Sequence, residues 1–281
     1  MVSEELKRRL SSLRRGEAGP RGEVKAKTAR LRRPSADLLE HFPEGSVCET
    51  EHGQVFRWEG ALGQLYFEAG QLTDRYLAAF HKAARLADKQ ALPAYLEPLV
   101  GAEAEGAALI DTETAGLHGR PLFMVGLAQY EQGGLVLRQY FARSYAEEAA
   151  LLQEFASLLP RVKLLISFNG KAFDWPFVRD RMIYHRLACR ASFAHLDLLH
   201  PSRRRWRAEL PDCKLKTLEQ YLCGRWRSGD IPGEEIPQQY HDFVRAQDAR
   251  LIAPVFHHNR MDLITMIELV VALVGDGERR D

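Results

Sequence analysis

The chain has 281 residues, 46% of them apolar, enough for one sizeable globular domain and an addition to it. Its longest apolar run near the C-terminus, Leu269 to Val274, falls far short of the roughly 20 residues of a membrane-spanning helix, so the chain reads as soluble. The net charge of +1 is uneven, because residues 1–33 hold eleven Lys or Arg against four Glu, a charge of +7, leaving −6 for the remainder.

Residues 1–40 read as a basic, partly disordered arm. Ser3 can cap a short helix carrying Leu6, Leu10 and Leu13, which Gly16, Gly19, Pro20 and Gly22 break. Such an arm suits either a polyanion grip or a solvated tail. The N-terminus has no apolar signal region, and the four cysteines (Cys48, Cys189, Cys213, Cys223) form no CxxC pair, which implies reduced thiols in the cytoplasm. Residues 41–104 read as a small β/α appendage, with β-prone runs between 47 and 67 and a helix over 72–99 broken at Pro93. A Gly/Ala/Glu-rich join at 101–106 marks the boundary to a main domain over 105–276.

Beyond the boundary the pattern becomes regular. GAALIDTET, PLFMVGLAQY and LVLRQYFA predict three strands, the last two joined at Gln132-Gly133-Gly134, in an antiparallel meander. Residues 146–159 have helical periodicity, VKLLISF is a buried strand, FVRDRMIYHRL returns to helix and HLDLL is a fifth strand. KLKTLEQYL, residues 235–248 and a long segment from about Asn259 to Val274 are helical. The order β-β-β-α-β-α-β-α is that of an α/β, ribonuclease-H-like fold, a mixed sheet flanked by helices.

Three places carry candidate chemistry. Asp111 and Glu113 stand at i and i+2 on a strand, so their carboxylates project together while Thr112 points away. Paired anionic oxygens suit a hard divalent cation, although a D-x-E triplet also marks solvated strand ends. Asp174 lies where the chain enters a helix, with Pro176 in its first turn. It can serve as a helix cap, a cation ligand amid Phe173, Trp175 and Phe177, or both. Asp262 intrudes into an apolar helix, with His258 one turn before it on the same face and His257 pointing elsewhere. A lone His there can equally be a satisfied core side chain.

Together these motifs, D-x-E, then N-x-x-x-F-D-x-P from Asn169 to Pro176, then a His spaced before Asp262, resemble the DEDD superfamily of 3′ to 5′ exonucleases. In detail, with HLDLL, LKTLE and HNRMD, the chain is similar over about 105–275 to the YprB-type ribonuclease-H-like proteins, relatives of family B polymerase proofreading domains. The resemblance implies that Asp111, Glu113, Asp174 and Asp262 ligate two Mg²⁺ or Mn²⁺ ions. It also implies that Asn169 belongs to the nucleic-acid site and that a histidine takes a proton from the attacking water. His258 fills the position four before the last Asp and His257 the position five before. Helix geometry assigns the base to His258, with His257 as the alternative.

Arg203, Arg204, Arg205 and Trp206, followed by Lys214 and Lys216, have the composition of a single-strand track, phosphate met by Arg and Lys and a base stacked on Trp. A solvated basic loop around a buried Trp is the other reading. Arg181 can likewise reach phosphate or face solvent. His195, Asp197 and His200 resemble a metal trio but lack a fourth ligand. The expected partner is DNA or RNA, as single strands or frayed ends, with no membrane. The expected function is a metal-dependent nuclease, exonucleolytic by resemblance. A structure-specific endonuclease and a catalytically inert binding protein are the alternatives.

Overall fold

A computed structural model describes residues 37–66, 69–116, 119–189, 191–227 and 229–275. The basic arm expected at 1–40 lies outside the described residues except for its last few positions. Leu38–His41 (α1) leads into strands Gly45–Thr50 (β1) and Gly53–Ala61 (β2), then helices Leu62–Leu65 (α2) and Ala69–Asp88 (α3). Strands Ala107–Thr114 (β3), Leu122–Glu131 (β4) and Gly134–Phe141 (β5) precede helix Glu148–Leu158 (α4), strand Leu164–Ser167 (β6) and helix Asp174–Tyr184 (α5). Ala194–Asp197 (β7) is followed by helices Leu199–Trp206 (α6), Leu215–Leu222 (α7), Ile236–Ala246 (α8) and Ala249–Gly275 (α9).

The strands form a single mixed sheet in the order β1-β2-β5-β4-β3-β6-β7. β3, β4 and β5 make the expected antiparallel meander. Gln132 and Gly133 both have positive φ, as a two-residue hairpin that follows the strand twist requires. β6 and β7 continue the sheet in parallel with β3, so the ends of β3, β6 and β7 open on one edge, where ligands of open α/β sheets bind. Among the described residues no helix is long and apolar enough to cross a membrane.

The segment expected as a separate appendage is instead part of this sheet. β2 pairs antiparallel with β5 over Phe56–Ala61, and α3 packs against α9. The physical reason is edge protection. In a meander of β3, β4 and β5 alone, β5 would expose a row of unpaired backbone groups, which the β1–β2 hairpin covers. The hairpin also buries Val55, Phe56 and Trp58. Each such side chain contributes about 1.5–3 kcal/mol of hydrophobic stabilisation.

Three further expectations are corrected. HLDLL is strand only to Asp197, and residues 203–206 of the RRRWR run lie on α6, with Trp206 buried as the alternative reading had it but on a helix instead of a loop. The last helix begins at Ala249, well before Asn259, and passes through Pro254, which by itself reads as a stop. Ile252, Val255 and Phe256 around that proline are buried. Phe256 packs on Phe42, Phe56 and Phe141 with ring centroids 4.5, 6.1 and 5.0 Å away. Tertiary burial outweighs the lost backbone hydrogen bond, and it fixes α9 across the sheet one turn before the residues that matter most.

Candidate functional site

The site begins with a row of residues paired across four strands. Trp58 pairs with Gln139, Gln139 with Gly126, and Gly126 with Asp111, so the four positions share one face of the sheet, beneath α9. Gly126 leaves a gap in this row, and Asn259 of α9 enters it. The Asn259 amide is wholly buried. It accepts from Gln139 Nε2 at 2.9 Å and donates to Asp111 Oδ2 at 2.8 Å. Sequence periodicity placed Asn259 beside Asp262, but its orienting role depends on the missing side chain of Gly126, on the strand next to that of Asp111.

Asp174 is the first residue of α5, not its cap. Its Oδ1 accepts from the Thr112 backbone N–H at 3.1 Å and from Thr112 Oγ1 at 2.6 Å. Thr112, which the strand alternation only turned away from Asp111, thus becomes the residue that positions Asp174. The loop before α5 is held by Asp197, a buried carboxylate at the end of β7. It accepts from the backbone N–H groups of Asn169 (2.7 Å), Lys171 (3.1 Å) and Leu199 (3.0 Å). Asn169 takes a left-handed conformation at φ 65° in this turn.

Asp262 sits on α9 opposite these groups. Its Oδ1 meets Arg227 at 2.7 Å, and its Oδ2 lies 3.6 Å from His258 Nε2. The other imidazole nitrogen, Nδ1, is 3.0 Å from Asp230, a carboxylate with 3% side-chain exposure. Arg227 and Asp230 escaped the sequence reading because both lie in an aperiodic segment between α7 and α8 with no motif spacing to mark them. His257 is exposed and, among the described residues, forms no hydrogen bond with the four acids.

The structure therefore brings Asp111, Glu113, Asp174 and Asp262 together with His258, from β3, the start of α5, and α9. Burial raises the Asp111 and Glu113 carboxyls well above the usual carboxylate range, and repulsion from neighbouring acids adds to it. Asp174 is pushed up to about 6 by burial, against the hydrogen bonds from Thr112. Burial also raises Asp262, opposed by His258 and Arg227. Beside these acids lies a cleft of about 360 Å³, lined among others by Asp111, Thr114, Phe173, Asp174, Phe177 and Asp180.

Crowded, desolvated carboxylates are the donor set that a hard divalent cation compensates. Among the described residues no three His, Cys, Asp or Glu side chains already stand as a metal cage. Each acid has a protein partner of its own: Asp174 is held by Thr112, Asp111 by Asn259, and Asp262 by Arg227 on one oxygen and His258 on the other. By chemistry, hard carboxylate oxygens of this kind suit Mg²⁺ or Mn²⁺.

The raised carboxyls set the pH response of the metal-free protein. A folded-state pKa above the unfolded value means that the protonated form stabilises the fold at low pH, and that this contribution is lost as pH rises through the folded value, for Asp174 about 6. In chelator, raising the pH from about 5 to about 7.5 should lower the melting temperature more for wild type than for Asp174→Asn. Mg²⁺ should restore the difference at the higher pH. Parallel melting curves for the two proteins across this range would rule the effect out.

The other expected nucleic-acid contacts are dispersed. Trp206 is only 2% exposed and cannot stack on a base, since α6 turns it into the core. Arg181 is not free for phosphate, because it forms a two-pronged pair with Glu148, itself 2% exposed and also bonded to His185 and to the Leu122 N–H. Arg205 pairs with Glu209, while Arg203, Arg204, Lys214 and Lys216 are exposed, and none of these lines the acid cleft. The suspected trio of His195, Asp197 and His200 is no metal site. Asp197 is occupied by backbone N–H groups, His195 bonds Ser167 Oγ at 2.8 Å, and His200 faces solvent.

Comparison with known proteins agrees with this architecture. The RNase_H_2 family, described as RNase_H superfamily, matches residues 108–274. The chain is 37% identical over 166 residues to "Uncharacterized protein YprB" of Bacillus subtilis (strain 168), covering 57% of this chain and 40% of that protein. It thus spans well under half the length of this relative. The family B DNA polymerase from the hyperthermophilic archaeon Pyrobaculum calidifontis superposes with a TM-score of 0.48 at 15% identity over 58% of this chain and 24% of the polymerase, too remote to bear on activity. Because the matched family span takes in more than half of the chain and every acid-bearing element, the protein belongs to the RNase_H superfamily.

Proposed function

We propose that the protein is a metal-dependent nuclease that hydrolyses phosphodiester bonds of DNA or RNA, acting as a DEDD-type 3′ to 5′ exonuclease on single-stranded or frayed ends. The observation that carries this reading is the convergence of four acids from three elements beside one cleft, where Asp262 and Asp174 add to the burial that raises the Asp111 and Glu113 carboxyls. Asp111, Glu113, Asp174 and Asp262 would hold two Mg²⁺ or Mn²⁺ ions. Bound there, the ions supply Lewis acidity for attack of water on phosphorus and for departure of the 3′ oxygen.

The chain's own groups do the rest. Asn259 and Thr112 orient Asp111 and Asp174 before substrate arrives, so little reorganisation is left for the reaction itself. His258 Nε2 takes the proton of the attacking water. Asp230 accepts from Nδ1–H, which selects the tautomer with Nε2 free and holds the ring towards Asp262. His258→Ala is expected to lower single-turnover rates by about 10²-fold or more, and Asp230→Asn by less, while His257→Ala stays close to wild type. The reverse ranking of the two histidines would move the base to His257.

The experiment that tests the function uses end-labelled single-stranded, duplex and flapped DNA and RNA, incubated with Mg²⁺, Mn²⁺ or chelator. A metal-dependent ladder shrinking from the 3′ end is the expected result. A discrete internal product would make the protein a structure-specific endonuclease. Binding without any product would make it an inert nucleic-acid-binding member of its superfamily.

A further inference from the structure

Among the large apolar side chains of the described residues, Trp226 is the most exposed, at 74%. Single exposed hydrophobics are ordinary on protein surfaces. This one differs in being held from both sides. Arg225 pairs with Glu219 and Glu268 and bonds Thr265. Arg227 pairs with Glu219, Asp230 and Asp262. Glu219 is wholly buried in α7, and the Arg227 side chain is 4% exposed. The indole is therefore displayed from a pinned backbone and loses little conformational freedom on meeting a ligand, as rigid aromatic anchors do.

The pins also tie this ring to the acids. Arg227, the next residue, holds Asp262, and Asp230 holds His258. The flanking guanidiniums are spent on carboxylates, so the segment offers a π face rather than a phosphate grip. An exposed flat ring one residue from Arg227, the partner of Asp262, suits the face of an unpaired nucleobase if the acids cleave phosphodiesters.

Resting on the nuclease reading above, we infer that Trp226 is a stacking platform for an unpaired base of the bound DNA or RNA strand, the role that the buried Trp206 cannot fill. The contact selects against fully paired ends, because a base in an intact duplex has no free face to offer.

Tryptophan fluorescence tests this directly. Trp58 and Trp206 are 2% exposed and Trp175 is partly buried, so quenching by a bound base reports mainly on Trp226. Full-length protein is titrated with oligo-dT, oligo-U and a blunt DNA hairpin, each of about 15 nucleotides, with Ca²⁺ replacing Mg²⁺ to limit cutting. Both single strands should quench the signal and the hairpin should not. Trp226→Ala should remove the quench and weaken single-strand binding by about 5- to 150-fold, the range expected for one stacked base. Its melting temperature and the salt dependence of binding should stay unchanged, since no phosphate contact is lost. Trp226→Phe should keep most of the affinity. Wild-type affinity in Trp226→Ala, or equal quenching by the hairpin, overturns the inference while leaving the nuclease reading intact. Failure of the wild type to bind any nucleic acid overturns both.

Discussion

Asp111→Asn is expected to abolish metal-dependent cleavage, a loss on the order of 10⁴-fold or more in turnover. Asp111 is oriented by Asn259 and repelled by Asp262, Glu113 and Asp174, so it interacts with each of the other three acids that would enclose a cation. The amide keeps the size of the side chain and removes its charge. Because Asp111 is buried and repelled by its neighbours, the variant should fold normally and, in chelator at neutral pH, melt at or above the wild-type temperature. Loss of activity would then be separated from loss of fold. Mg²⁺-dependent cleavage surviving in this variant would remove the metal scheme altogether.

Gly126→Ala should be nearly as damaging, through a different route. A Cβ at position 126 would stand 2.1 Å from Asn259 Oδ1 and 2.8 Å from its Nδ2. Asn259 cannot retreat cheaply, since it is fully buried and bonded to both Gln139 and Asp111. Forced overpacking with disruption of buried hydrogen bonds should cost about 2–4 kcal/mol of stability. Asp111 would also lose its orienting donor, so activity should fall even at temperatures where the variant is folded. Denaturant unfolding of Gly126→Ala alone and in an Asn259→Ala background checks the contact, because the methyl should be much less costly once the amide is gone. An equal penalty in both backgrounds would mean that the gap in the ladder is not there for Asn259.

Much of the fold was legible in the chain. The buried run of GAALIDTET, the Gln132-Gly133-Gly134 turn and the apolar VKLLISF each predict their element from local pattern, and each forms where expected. The hairpin at 45–61 was legible as strands but not as part of the main sheet. Pairing between β2 and β5 joins residues far apart in sequence, and nothing in the periodicity of either strand names its neighbour. Trp206 and Arg181 misled for a related reason. Composition indicates what a side chain can bind, whereas its exposure is set by the face its helix buries.

Local pattern was enough to single out the acids as candidates: Asp111 and Glu113 stand near the end of a strand, Asp174 opens a helix and Asp262 interrupts an apolar one, while the family resemblance joined them into one set. Tertiary structure alone decided how they are held and joined. Thr112 grips Asp174, Asn259 reaches Asp111 through the space left by Gly126, and Arg227 and Asp230 bracket Asp262 and His258. These are long-range hydrogen bonds and ion pairs, made by residues whose local environments are ordinary. Their geometry exists only once α9 is packed across the sheet.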